Sequence, residues 1–224
     1  MSNKTLAALA AIAATLAVAH PAQAADVTVG TYTSGNCYPF SCMAGDSTLQ
    51  YQQIYSAGAF GSGAIRIDDV SFFKSDAGQM TPSDYTVSFW LTASSTTGMS
   101  SSAAANEGTL LSNFGSFHVG GTMPDTLTLS GSSFVYDPSQ GNLLMDVEVT
   151  SGAAPWGYDS FFEADYSNSN VTTRGYGSDG TLFATSQQGA LVTRFSTSAV
   201  PEPGALALML AGLGLVGVTA RRHA

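Results

Sequence analysis

Hydrophobic and polar residues alternate with a period of two along much of the chain. Tyr85, Val87, Phe89 and Leu91 share one parity, and Thr86, Ser88, Trp90 and Thr92 take the other. Leu143, Met145, Val147 and Val149 repeat the pattern, with Asp146 and Glu148 on the outward positions. Successive side chains of a strand point to opposite faces, so each stretch predicts a half-buried β-strand. Leu127 and Leu129 within Asp125–Ser130, and Leu191, Thr193 and Phe195, give two shorter cases. Leu49–Tyr55 and Phe161–Tyr166 are further strand candidates.

Between Ala64 and Phe73 the parity breaks: Ile65 and Ile67 share one face, Val70 and Phe72 the opposite one. A β-bulge at Asp68–Asp69 would return all four to the core. Asp137–Asn142 reads as a turn, and Gly, Asn, Asp, Pro and Ser separate the other runs. No helical period is sustained between Ala25 and Ala199. The expectation is an all-β fold, a single antiparallel sandwich or jelly-roll-like domain of eight to ten strands.

The two ends follow another pattern. Lys4 precedes an apolar run, Leu6–Ala19, broken by Pro21; Ala22-Gln23-Ala24 then presents small residues around a cleavage point. This is the layout of a secretory signal peptide, so residues 1–24 are expected to be removed by signal peptidase before Ala25. At the other end residues 204–220 carry no charge. As a helix they would extend roughly 25 Å at ~1.5 Å per residue, slightly short of a hydrocarbon core of about 30 Å. Arg221 and Arg222 follow, and their charge is expected to hold the tail in the cytoplasm. Pro201 and Pro203 cannot sit inside a helix or a central strand, so Pro201-Glu202-Pro203 is read as an extended spacer.

This order of parts, Val200-Pro201-Glu202-Pro203, an apolar helix and an arginine pair, resembles the PEP-CTERM domain of exopolysaccharide-producing Gram-negative bacteria. The resemblance implies recognition by an exosortase, a membrane protease-transpeptidase that removes the tail near Pro-Glu-Pro. It also implies an inner-membrane intermediate followed by the cell surface or extracellular matrix. The expected division is therefore a signal peptide (1–24), a sandwich (25–199) and a sorting signal (200–224). The alternative for the tail is a permanent single-span anchor. The body itself resembles a recurring group of PEP-CTERM proteins, through Tyr51-Gln52-Gln53-Ile54-Tyr55 with Phe60, "YDPSQGNLLMDVEV" and "GALVTRF". That second resemblance implies one domain and no particular activity.

Residues 25–199 hold four basic residues (Arg66, Lys74, Arg174, Arg194) against fifteen acidic ones, a net charge of −11. Such a surface repels nucleic acid and anionic lipid, and it could hold a divalent cation weakly. Cys37 and Cys42 bracket Tyr-Pro-Phe-Ser. In an exported chain an even, close pair predicts a disulfide. Closing so short a loop stabilises by only about 2 kcal/mol through chain entropy.

Candidate chemistry is sparse. Catalysis by a nucleophile and a base needs a histidine or its equivalent; the body has His118, expected as a solvent-facing strand residue, without a Gly-x-Ser-x-Gly elbow. A glycosidase needs two carboxyl groups, and Glu107, Glu148 and Glu163 are the candidates. Asp159, Asp165 and Asn168 could offer oxygen atoms to Ca2+. Trp156 and Tyr158 could stack on sugar rings or, as the plainer reading, cap the core. No pattern calls for a resident cofactor. The functional expectation is an exported, non-enzymatic surface or matrix protein associated with exopolysaccharide and biofilm. The alternative is a secreted carbohydrate-active enzyme or a calcium-dependent glycan-binding module.

Overall fold

Two antiparallel sheets face each other in the computed structural model, which describes residues 25–42, 49–152 and 160–200. The expected helices of the signal peptide and of residues 204–220 lie outside the described residues. Among those described, no helix is long and apolar enough to cross a membrane.

The strands are β1 (Val27–Val29), β2 (Ser34–Asn36), β3 (Leu49–Tyr55), β4 (Ile65–Asp76), β5 (Gln79–Thr92), β6 (Thr109–Thr122) and β7 (Thr126–Tyr136). They continue with β8 (Asn142–Gly152), β9 (Phe161–Asp165), β10 (Thr172–Ser178), β11 (Thr181–Ser186), β12 (Ala190–Leu191) and β13 (Thr193–Ala199). A one-turn helix, α1 (Ala103–Asn106), precedes β6. The first sheet runs β1-β13-β4-β9-β12, with β2 also on β9 and β7 also on β4; the second runs β11-β10-β3-β8-β5-β6. The sandwich expected from the alternation is present, with more strands than expected. The surplus is largely β1, β2 and β12, which at two or three residues are too short to display a period.

Aromatic residues fill the space between the sheets. Phe89 stacks on Phe134 at 4.9 Å and meets Phe114 edge-on at 5.2 Å. Phe195 meets Tyr55 at 5.0 Å and Phe60 at 5.1 Å. Phe40, from the Cys37–Cys42 loop, inserts between Phe72, Tyr85 and Phe162 at 5.0, 5.4 and 5.7 Å. Such offset and edge-on pairs add to the stabilisation from burial itself. Tyr85, Val87, Phe89, Leu143, Met145, Val147 and Val149 all point into this core, as their alternation predicts.

The parity break in β4 is a register irregularity. Ile67 pairs with Phe134, whereas Asp69 pairs with Ser130. Asp68 is thus unpaired on one strand and residues 131–133 on the other, and Ile67, Val70 and Phe72 are all buried. Pro82 is accommodated in β5 by a second shift, between Met80 and Ser83, which removes the need for its missing N–H in the ladder.

Asp146 takes the outward face expected of it, but not an open one. Asp146 points away from the inner core, yet it is buried, because the outer face of the second sheet is itself covered. Residues 93–107 fold across that face, where Met99 and Ala103 pack with Ile54, Leu144, Leu182 and Trp90 in a second, smaller apolar cluster.

Candidate functional site

The residues expected to be processed divide between described and undescribed. Ala22, Ala24, Pro201, Glu202, Pro203, Arg221 and Arg222 lie outside the described residues, as do Trp156, Tyr158 and Asp159. Ala25 is placed: its carbonyl accepts a hydrogen bond from Thr197 Oγ1 at 2.8 Å. Next to it β1 pairs antiparallel with β13, Val27 opposite Phe195 and Val29 opposite Thr193. The start and the end of the sandwich therefore meet at one edge of the first sheet. Ser198 Oγ adds a bond to Asp68 Oδ2 at 2.8 Å.

Cys37 and Cys42 are joined by a disulfide, with their Cα atoms 5.2 Å apart. The loop is tight because the amides of Ser41 and Cys42 both donate to the Cys37 carbonyl, at 2.9 and 3.0 Å. Ser41 Oγ lies 2.6 Å from Ser160 Oγ, so the loop is also fastened to the residue that precedes β9. Between the cysteines, Phe40 is fully buried. The bridge thus holds an aromatic plug in place, a role that spacing alone does not disclose.

Two of the three candidate glutamates come together. Register places Glu148 opposite Gln50, and Asp146 opposite Gln52. Glu107 follows α1 and reaches the same place: Gln52 Nε2 donates to Glu107 Oε1 at 3.5 Å and to the Ala103 carbonyl at 3.3 Å. Gln50 Nε2 spans both oxygens of Asp146, at 2.9 and 3.1 Å. Burial is the largest influence on Asp146; it and the neighbouring Glu148 and Glu107 push its pKa up to about 7, against the pull of the Gln50 and Gln52 amides. Burial, then Glu148, raises Glu107 as well. Asp146, with its pKa raised to about 7, thus lies two residues along β8 from the exposed Glu148. Glu163 does not join them; it lies on β9 of the other sheet, opposite Gly35.

The remaining candidates are accounted for locally. His118 Nδ1 lies 2.8 Å from Asp84 Oδ1, and both side chains are exposed. Ser151 Oγ donates to the other oxygen of Asp84. The three residue types of a hydrolytic triad are present, but the serine bonds the carboxylate rather than the imidazole, so the histidine cannot activate it. The Ser151 and His118 bonds hold Asp84 below its usual pKa. Asp165 accepts from Thr31 N, Ser167 N and Ser167 Oγ at 3.0, 2.8 and 2.5 Å. Burial works to raise its pKa, and these donors outweigh it. Its lone pairs fasten the turn through Asn168, a residue with φ of 54°. Among the described residues no three His, Cys, Asp or Glu side chains converge as a metal-ligand set.

Sequence reasoning named Glu107 and Glu148 but missed Gln50, Gln52 and Asn106, which organise them. A signal was present: Gln50 and Gln52 on alternate positions of one strand, opposite two acids on another. No curated protein matches the chain. A sequence model of the PEP-CTERM protein-sorting motif matches residues 199–222. The chain therefore carries a PEP-CTERM sorting signal, which implies export, targeting to the cell surface through a membrane intermediate, and exosortase as the processing partner.

Proposed function

We propose that residues 25–199 form a non-enzymatic module of the cell surface or extracellular matrix, delivered by exosortase and associated with exopolysaccharide. The observation that carries this reading is the junction between fold and signal. Strand β13 ends at Ala199, and the sorting motif begins at residue 199. Removal of the tail near Pro201-Glu202-Pro203, and of residues 1–24 before Ala25, would leave every strand of the sandwich in place. A protein built to lose both ends without losing a strand suits display as a folded unit. Its acidic, soluble surface suits a hydrated polysaccharide matrix.

The test compares surface-released protein from cells with and without exosortase, by intact mass. The expected species begins at Ala25 and lacks residues 204–224 only when the enzyme is present. Identical masses from both strains would reduce the tail to a plain anchor. Binding of the mature body to the organism's own exopolysaccharide, measured by co-sedimentation, tests the second half of the reading.

One observation favours a second reading, a secreted carbohydrate-active enzyme: Glu107 comes near Asp146 and Glu148 on the outer face of the second sheet. Release of reducing sugar by the mature body, lost in Glu148→Gln, would establish it.

A further inference from the structure

Residues 93–107 form a cap whose centre is Asn106, fully buried. Its Nδ2 donates to the carbonyls of Ser100 and Ser102 at 3.0 and 3.3 Å, and its Oδ1 accepts from the Ser100 amide at 2.8 Å. Thr92 Oγ1 donates to the Asn106 carbonyl at 2.5 Å, fixing the cap to the end of β5. One further bond reaches the sheet: Asn106 Nδ2 to Gln52 Oε1, at 3.0 Å. Gln52 returns bonds to Ala103 and Glu107 and also contacts Asp146. The polar seat of the cap and the seat of the buried carboxyl are therefore the same glutamine.

The groups that face Asp146 are of one charge type. Strand β8 contributes Glu148, two residues along, and the cap contributes Glu107. Strand β3 supplies the neutral amides of Gln50 and Gln52, β5 supplies Thr86 and Ser88, and β10 supplies Gly175 and Gly177 at the matching register positions. Among the described residues no cation is placed against it. On β5 and β6 the same face carries Asp84 and His118, which are paired with each other. Glu107 and Glu148 lie near enough to Asp146 to disfavour its ionisation, and no counter-ion among the described residues offsets them.

We propose that this cluster is a proton-operated latch, holding residues 93–107 against the outer sheet when protonated and releasing them when ionised. Release would uncover Trp90 and the small apolar cluster beneath the cap, changing the face offered to the surroundings. The sign follows from linkage. In the closed state burial, with Glu148 and Glu107, holds the Asp146 pKa up to about 7, above the ordinary aspartate value of about 3.9, and the latch requires that part of this rise relaxes when residues 93–107 leave. The closed state is therefore fully favoured below the ordinary value and loses ground as pH rises through about 7. A cell surface acidified by metabolism would keep the cap shut, and a neutral or alkaline one would loosen it.

The test uses the mature body carrying Trp156→Phe, so that Trp90 is the sole tryptophan, with emission and amide exchange followed from pH 5 to 8.5. Exchange of residues 93–107, corrected for its intrinsic pH dependence, should rise at least tenfold across a midpoint near 7, while Trp90 emission shifts to the red. Asp146→Asn, which keeps one acceptor oxygen for Gln50 but cannot ionise, should stay closed throughout the range. Glu148→Gln, at an exposed position, should move the midpoint to lower pH, and His118→Asn should leave it in place. Exchange and emission that do not change with pH, or a midpoint that survives in Asp146→Asn, would overturn the latch. Should Asp146→Asn fail to fold, a Glu148→Gln midpoint identical to that of the parent does the same.

Discussion

The molecule has two apolar clusters, and they are built on different rules. The inner one lies between the sheets, is dominated by phenylalanine and tyrosine, and draws on strands from both sheets. The outer one, around Ile54, Leu144 and Trp90, lies on the back of a single sheet under a segment of loop. Strands β3 and β8 serve both. Leu143 and Met145 face inward, Leu144 faces outward, and all three are fully buried. One strand can thus carry two loads of unequal consequence. Loss of inner contacts separates the two layers, whereas loss of outer contacts frees a loop and leaves the layers joined.

The sharpest break of the comparison is at the plug. Phe40→Ala removes a fully buried ring that touches both sheets and should cost about 3–5 kcal/mol. Denaturant unfolding should show one cooperative transition at lower midpoint, with the cap lost together with the rest. A midpoint unchanged within error would show that Phe40 is dispensable and that the inner cluster closes without it.

Next comes the bridge that holds the plug. Cys37→Ser with Cys42→Ser should lower stability by about 2 kcal/mol from loop closure, and the sandwich should still fold at 25 °C. Phe40 should then become the first inner residue to lose protection in amide exchange of its neighbours. A loss as large as that of Phe40→Ala would mean that the bridge and the plug act as one unit.

The smallest global effect belongs to the outer cluster. Asn106→Ala takes their Asn106 partner from the Ser100 amide, the Ser100 and Ser102 carbonyls and the Gln52 side-chain oxygen, at about 1–3 kcal/mol for each group left buried and unpaired. The cap can avoid that cost by detaching. Global unfolding should therefore shift by no more than about 1 kcal/mol, while residues 93–107 exchange freely at every pH. A large drop in the global transition would place the outer cluster within the cooperative core and erase the distinction.

The inner cluster was legible in the sequence because its strands are half-buried in register with their period. The parity break at Asp68–Asp69 was legible for the same reason. Strands β10 and β11 were not. Thr172-Thr-Arg-Gly-Tyr-Gly-Ser178 puts glycine on the outward positions, and the reason lies in tertiary structure. A Cβ on Gly177 would stand 1.8 Å from the Thr181 carbonyl oxygen, and one on Gly175 would stand 2.8 Å from Met99 Sδ. Close approach, rather than a turn, selects glycine there. Asp146 was placed on the right face and given the wrong surroundings, since alternation reports which way a side chain points and not what covers it. The carboxylates of the candidate site were visible one by one. Asp146 and Glu148 share a strand face, but the arrival of Glu107 beside them depends on residues 93–107 crossing a sheet, which no local pattern encodes.

The bond between Thr197 and the Ala25 carbonyl has a topological consequence. With its first and last residues in contact, the body is nearly a closed ring of chain, and domains with adjoining termini tolerate circular permutation. A short linker from Ser198 back to Ala25, with new ends opened in the exposed turn at Ser139–Gln140, would keep every strand pairing and carry the sorting tail to a different corner of the same sandwich. The point on the sandwich from which the sorting tail departs could then be chosen independently of the fold.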